Sequence, residues 1–375
     1  MILPAVFGLL LILSVLWEAF ETVVLPRRVT RRLRLTVLFY RGTWPPWRAL
    51  ARSFRNAKRR ESFLGYYGPL SLLFLFIFWA ALLILGFGLL IYSVSLPDAT
   101  HPNFDTCFYL SGTTFFTLGL GDVTPHTSFE RILAVIESGL GFGFLALVLS
   151  YLPVIYQAFS RREVNIVLLD ARAGSPPTVG ELLRRHARPQ QLEELQKLLT
   201  EWERWAAEIL ESHVSYPVVS YFRSQHNNES WLGALAMILD ASALLIASSD
   251  AGCARQAKLT FAMCRHTVVD LAQIFYAAPR NSDSVRLPAA DFERLRKLTT
   301  KSGLRFAETP ESVAKFEELR QMYEPYLLAL AAHLYVELPP WVLANEVTDN
   351  WRTSAWGRIS GLNAASEAQP AIDDH

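Results

Sequence analysis

Apolar residues gather into three long runs in the first part of the chain, Met1–Val24, Phe63–Leu96 and Phe129–Phe159. A helix needs about 20 apolar residues to cross a hydrocarbon core, and each run is long enough. A polar gap separates the second run from the third, and within it Tyr109–Phe116 reads as a short helix. After Phe159 the pattern changes to that of a soluble protein. Its periodicity predicts helices over Gln190–His213, Ser230–Ser249, Ala254–Ala277, Ala290–Lys301 and Ser312–Glu337, with Asn165–Ala173 as the one candidate strand. Thr178-Val-Gly-Glu181 fits a capping box ahead of Leu182 and Leu183. Trp231–Ser248 is apolar enough to resemble a fourth span, but Asp240 inside it and the lack of a flanking basic bias favour a buried helix.

The overall averages, 51% apolar, 12% aromatic and a formal net charge of +1, hide this division. The arrangement of charge is more telling. Arg27, Arg28, Arg31, Arg32, Arg34, Arg41, Arg48, Arg52, Arg55, Lys58, Arg59 and Arg60 lie between the first two runs, opposed only by Glu61. Asp98–Glu130 contains no Lys or Arg, and Arg161-Arg162 follow the third run. The positive-inside rule then places the basic segment inside and the polar gap outside. The first run lacks a positive start and a small-residue cleavage site, so it reads as an anchor with its N-terminus outside. The basic segment also carries Trp44, Trp47 and Phe39, and it reads either as a surface lying on anionic lipid or as a solvated loop.

The polar gap ends in Thr117-Leu118-Gly119-Leu120-Gly121-Asp122. Alternate glycines permit backbone conformations that turn consecutive carbonyls toward one axis. Tyr109–Phe116 runs straight into this string, and the negative end of its dipole favours a cation there. The order apolar helix, polar turn, short helix, Thr-x-Gly-x-Gly-Asp, apolar helix resembles the pore module of the potassium-channel superfamily. It is most similar to single-pore bacterial channels and the second pore of two-pore-domain channels, over roughly residues 65–160. The resemblance implies an all-α membrane protein: a helix–pore loop–helix module with an extra N-terminal membrane helix and a mostly helical cytosolic C-terminal domain. The expected divisions are 1–25 for the first helix and 26–62 for the basic segment. The pore module covers 63–160, with outer helix 63–96, pore helix and filter 105–125 and inner helix 129–159. The cytosolic domain covers 161–360, followed by a disordered tail, 361–375.

The resemblance assigns potassium coordination to the carbonyls of Thr117, Leu118, Gly119 and Leu120, with Gly121 closing the filter and the Thr117 hydroxyl in the innermost ring. Potassium is then a permeant ion, with no cofactor, and one filter string per chain implies a homotetramer. Asp122 would support the filter or raise cation concentration at its mouth. Thr113 stands where some relatives carry a bracing glutamate, Phe116 where many have threonine, and Leu120 at the usual aromatic position. Glu137, a carboxyl in an otherwise apolar stretch, reads either as the missing brace or as an interfacial acid. Gly141 is the hinge candidate by resemblance. Pro153 lacks an N–H, which leaves the Leu149 carbonyl without its helical partner and predicts a kink. Phe142, Leu145 and Leu149 share a face that lines a cavity or meets lipid or the outer helix. Glu18 and Glu21 are expected to pair locally with Arg27 and Arg28.

Cys107, Cys253 and Cys264 are too few for a disulfide framework, and no His/Cys set has zinc spacing. There is no nucleophile–base set, no dinucleotide fingerprint in the cytosolic half and no arginine-striped voltage sensor. The expected function is passive potassium conduction in an inner membrane, with filter outside and C-terminal domain inside, without enzymatic activity or nucleic-acid binding. The competing expectations are a weakly selective cation channel and a membrane-anchored binding or signalling protein with a silent pore.

Overall fold

The structure is a computed structural model that describes residues 2–25, 34–95, 103–186, 192–226, 229–248, 253–281, 286–301 and 309–343. The basic residues Arg27, Arg28, Arg31 and Arg32 and the tail 361–375 lie outside the described residues. All described elements are helical, with no strand among them. The chain divides into two compact units, residues 1–159 with 212–223, and residues 160–211 with 224–375.

The first unit is built on three helices long and apolar enough to span a membrane. α1 (Ile2–Ala19, continued by a π-helical turn over Phe20–Val24) buries one stripe, Gly8, Ile12, Val15 and Glu18, on α4 (Tyr67–Val94). Small residues set this contact. A Cβ on Gly8 would lie 2.6 Å from the Gly86 carbonyl, and one on Gly86 would lie 2.7 Å from Ile12. Where lipid removes the hydrophobic drive between helices, such close approach supplies van der Waals contact instead. Between α1 and α4, the basic segment forms two helices, α2 (Leu35–Arg52) and α3 (Ala57–Gly65). Glu18 is buried and accepts from Arg34 Nε at 3.2 Å and from the backbone N–H groups of Leu35 and Thr36 at 3.3 Å. It therefore caps the start of α2. The acid answers orphan N–H groups and the positive end of a helix, a partnership that sequence proximity to Arg27 and Arg28 does not reveal.

α5 (Phe104–Phe115) is the short helix in the polar gap. It lies close on α4, where a Cβ on Gly88 would come within 3.2 Å of Phe108 Cα, and Ser111 Oγ donates to the Ile84 carbonyl at 2.8 Å. α6 (Ser128–Ala173) is one uninterrupted helix through Pro153 and beyond Phe159. The strand expected over Asn165–Ala173 is therefore corrected to helix. Its Val, Ile and Leu run has some β preference, but elongating an existing helix needs no new nucleus. Ile166, Leu169 and Ala173 are buried at helical spacing, which the helix satisfies and a strand would not.

The second unit contains the extension of α6, then α7 (Val179–His186), α8 (Leu192–Ser215, whose last residues join the first unit), α9 (Trp231–Ala247), α10 (Ala254–Ile274), α11 (Ala289–Lys301), α12 (Pro310–Gln321) and α13 (Glu324–Leu334). The Thr178 hydroxyl accepts from Glu181 N at 3.3 Å, while the Glu181 carboxylate turns to Arg184 and Arg185. The single helix expected over Ser312–Glu337 is two helices. The break falls at Met322-Tyr323, two residues ahead of Pro325, which sits in the first turn of α13 where its missing N–H is tolerated. α9 is buried on nearly every face. Its Asp240 accepts from both Arg286 Nη atoms, at 3.2 and 2.7 Å, and from Tyr323 Oη at 2.5 Å. Residues 212–223, expected in the cytosolic domain, belong instead to the first unit, where Val218, Val219 and Phe222 join the core formed with α4 and α6.

Candidate ion-conduction site

α5 presents Cys107, Leu110, Ser111 and Phe115 to the core of the first unit and delivers the chain into the Thr-x-Gly-x-Gly-Asp string. Its C-terminal end is tied off tightly. Phe116 N bonds to the Gly112 carbonyl at 3.1 Å, and the Thr113 carbonyl accepts from Leu118 N at 2.8 Å and Gly119 N at 3.4 Å. Thr117 takes the left-handed conformation, with φ 56°, as a residue closing a helix often does. Gly119 and Gly121 are also left-handed, with φ 55° and 82°, while Leu118 and Leu120 between them are not. Left-handed backbone costs a side-chain-bearing residue about 1–2 kcal/mol, so Thr117 holds local strain. Strain of this kind concentrates at functional sites. Alternating hand turns successive carbonyls to one side of the segment. Residues 116–122 are all exposed in the single chain.

Asp122 closes the string, and Tyr109 Oη donates to its Oδ2 at 2.8 Å. Thr113 does not take that role, because its hydroxyl donates to the Leu110 carbonyl within α5 at 3.0 Å. Glu137 on α6 is fully buried and lies behind α5, hydrogen-bonded to Ser111 Oγ. Ser111 thus has two acceptors, Glu137 and the Ile84 carbonyl, for one hydroxyl hydrogen. The second carboxyl oxygen, Oε2, is buried with no hydrogen-bond partner among the described residues.

Gly141 lies one turn further along α6, and a Cβ there would run into the Phe115 carbonyl. This glycine permits contact between the inner helix and the base of α5. Pro153 is exposed, with Tyr151 and Ile155 buried on the other side of the helix. Phe142, Leu145 and Leu149 are all exposed, as are Ile132, Val135 and Ile136, so most of the apolar surface of α6 is uncovered in one chain. The structure thus gathers Thr113, residues 117–122, Glu137 and Gly141 around the end of α5, and leaves Pro153 further along α6.

Two participants escaped the sequence reading. Tyr109 precedes Asp122 by 13 residues, and no local pattern links them. Glu130 caps α6, accepting from His126 N at 2.7 Å, Thr127 N at 3.0 Å and Ser95 Oγ at 2.8 Å. It therefore joins the C-terminal end of α4 and the N-terminal end of α6 to the loop leaving the string. Thr127-x-x-Glu130 is a capping-box signature that could have revealed it. No group of His, Cys, Asp and Glu suited to a metal ion occurs among the described residues.

Residues 77–157 match the family model described as "Ion channel". The chain is 23% identical over 185 residues to the "Uncharacterized membrane protein YdjJ" of Bacillus subtilis (strain 168), a match spanning 48% of this chain and 53% of that protein. The chain thus covers about half the length of that relative. No solved structure matches significantly. The matched segment contains most of α4, all of α5, the Thr-x-Gly-x-Gly-Asp string and α6 through Tyr156 and Gln157. The chain, helical throughout its described elements and with three helices long and apolar enough to cross a membrane, thus carries an ion-channel domain over residues 77–157.

Proposed function

We propose that this protein conducts potassium ions passively across a membrane, through a filter to which each of four chains contributes residues 117–121. The observation that carries this reading is the alternating left-handed backbone at Thr117, Gly119 and Gly121, following the C-terminal end of α5. The carbonyls of Thr117, Leu118, Gly119 and Leu120 then form one wall of a ladder, and four walls replace the water shell of a dehydrated ion. The Thr117 hydroxyl completes the innermost ring. Asp122, held by Tyr109, raises the local cation concentration at the mouth. Glu137 braces α5 from behind through Ser111. Phe142, Leu145 and Leu149 line the cavity below, and Gly141 and the segment around Pro153 are where α6 would move.

The exposed filter and uncovered face of α6 support assembly, since one chain supplies one quarter of a carbonyl ring. The charge pattern supports placing the filter outside and the second unit in the cytoplasm, with the basic α2–α3 surface on anionic lipid of the inner leaflet. A weakly selective cation channel is the second reading. Leu120 favours it, because an aliphatic side chain offers no hydroxyl to bond behind the filter.

The deciding experiment is the reversal potential of purified protein in bilayers under opposed potassium and sodium gradients. A reversal near the potassium equilibrium potential supports the first reading, and one near zero supports the second. Gly119→Ala should abolish selective current, because an alanine at φ 55° is strained and its methyl group crowds the ion path. Wild-type selectivity in that variant would mean that the filter lies elsewhere. Mass measurement in lipid should give four chains.

A further inference from the structure

We propose that residues 216–223 are positioning residues for the cytoplasmic half of α6, and that their packing sets how readily the pore opens. This rests on the channel reading above. The segment follows α8 and makes a short 3-10 turn, Pro217–Tyr221, in which Val218 and Val219 are buried. It packs on α6 by three ring contacts, Tyr216 with Tyr151 and Phe222 with Phe159, both at 5.6 Å between centroids, and Phe222 with Tyr156 at 6.2 Å. On the other side Tyr221 stacks on Tyr40 at 5.5 Å and lies 5.3 Å from Tyr67. Phe222 seats over α4 where only glycine fits, since a Cβ on Gly68 would lie 2.6 Å from its ring. Arg223 adds an ion pair to Glu61 of α3 at 3.4 Å.

It covers the face of α6 opposite that helix's weak point. Pro153 cannot donate to the Leu149 carbonyl, so one helical hydrogen bond is missing there. Leu149 and Pro153 are exposed in the single chain, while Tyr151 and Ile155 are buried across the helix from them, with Phe159 one turn further on. The segment joins this face to α2, α3 and α4, and so holds a helix that is able to bend. The chain leaves the first unit after Phe159 and re-enters it at Ser212. Residues 160–211 are therefore tied at one end to α6 and at the other to the segment that clamps it. A rearrangement within them pulls on both, and a two-state inner helix is biased by any difference in that pull.

The test uses the full chain in lipid, with two perturbations of opposite sense. Phe222→Ala loosens the clamp. A short thiol crosslink between cysteines at positions 151 and 216 tightens it, with single-cysteine controls because Cys107, Cys253 and Cys264 are free. Open probability should shift by about threefold to thirtyfold in opposite directions for the two, whichever state the present structure represents. Reduction of a cleavable crosslinker should reverse the second shift, Phe222→Leu should stay near wild type, and the potassium-to-sodium permeability ratio should not move. Amide exchange over residues 150–159 should rise in Phe222→Ala while residues 105–115 stay unchanged. Shifts of the same sign, no shift, or unchanged exchange at 150–159 would overturn the proposal. Absence of any current in the wild type would sink the channel reading instead, and the exchange pattern would still decide whether the segment positions α6.

Discussion

Two carboxyls sit in apolar stretches of helix, Asp240 in α9 and Glu137 in the first half of α6, and their surroundings differ. Asp240 receives a bidentate guanidinium from Arg286 and a phenol from Tyr323. Its partners bear the mark of that pairing. Burial works against the charge of Arg286, yet Asp240 beside it, with Tyr323 and Glu324, holds the guanidinium above its ordinary range. Burial and the neighbouring Asp240 hold the Tyr323 phenol well above its usual value. Glu137 has one serine hydroxyl that is also within reach of a carbonyl, and an Oε2 with no partner among the described residues. A buried acid with a full set of partners fixes a fold. One left incomplete, behind the helix that leads into the Thr-x-Gly-x-Gly-Asp string, remains available for function.

This contrast can be broken. Asp240→Ala should have the largest effect on folding, a loss of up to about 3–5 kcal/mol, because it leaves the buried Arg286 with only Glu324, at 3.8 Å, as a counter-charge. Denaturant unfolding followed by tryptophan fluorescence measures this. Assembled channels that survive should keep the wild-type permeability ratio. A change in selectivity with little loss of stability would reverse the roles assigned to the two acids.

Glu137→Leu removes the hydrogen bond to Ser111, whereas Glu137→Gln retains size and bonding capacity. The leucine variant should weaken tetramers or sustained current by the equivalent of about 1–3 kcal/mol, with the glutamine variant close to wild type. Tetramer dissociation in detergent and current decay in bilayers are the measurements, and equal wild-type behaviour of both would make Glu137 a bystander. Tyr323→Phe takes one donor from Asp240 and leaves the guanidinium, so it should cost less than Asp240→Ala, about 1–2 kcal/mol. A cost as large as that of Asp240→Ala would mean that the phenol, and not Arg286, anchors the acid.

The smallest effect is one of pH. Burial raises Glu324 above the ordinary carboxylate value, with Arg320 and Arg286 opposing. The folded chain then keeps this proton to higher pH than the unfolded chain does. Stability should therefore fall as pH rises from about 4.3, the unfolded value, toward the raised folded value, with a slope below about 1.4 kcal/mol per pH unit for one proton. Glu324→Gln should flatten that slope, and an unchanged unfolding profile from pH 4 to pH 7 would remove Glu324 from the account.

Much of the membrane part was legible because its signals are local. Each apolar run contains its own length, and the string 117–122 contains its own glycines. The positions of Glu137 and Gly141 on α6 could be singled out, the first as an acid in apolar surroundings and the second by resemblance to channel inner helices. Their contacts could not, since Ser111 and Phe115 lie 26 residues away from each of them in sequence. The Asn165–Ala173 strand was misread because a short β-branched run is ambiguous until its neighbour is known to be a helix that continues. The division at residue 161 missed the return of residues 212–223, because Val218, Val219 and Phe222 look alike whether they bury in one unit or the other.

By itself, then, the sequence determined three membrane-length helices, a Thr-x-Gly-x-Gly-Asp string between the second and third, and a helical remainder. These follow from hydrophobic period, segment length and glycine placement, all properties of residues close together in the chain. Only the tertiary structure decided that Tyr109 holds Asp122, that Glu18 caps α2, that Asp240 pairs with Arg286 and that residues 216–223 clamp α6. Each of these is a choice among chemically equivalent partners. A carboxylate accepts from any donor and an aromatic ring packs on any other, so which pair forms depends on the path of the backbone that brings them together.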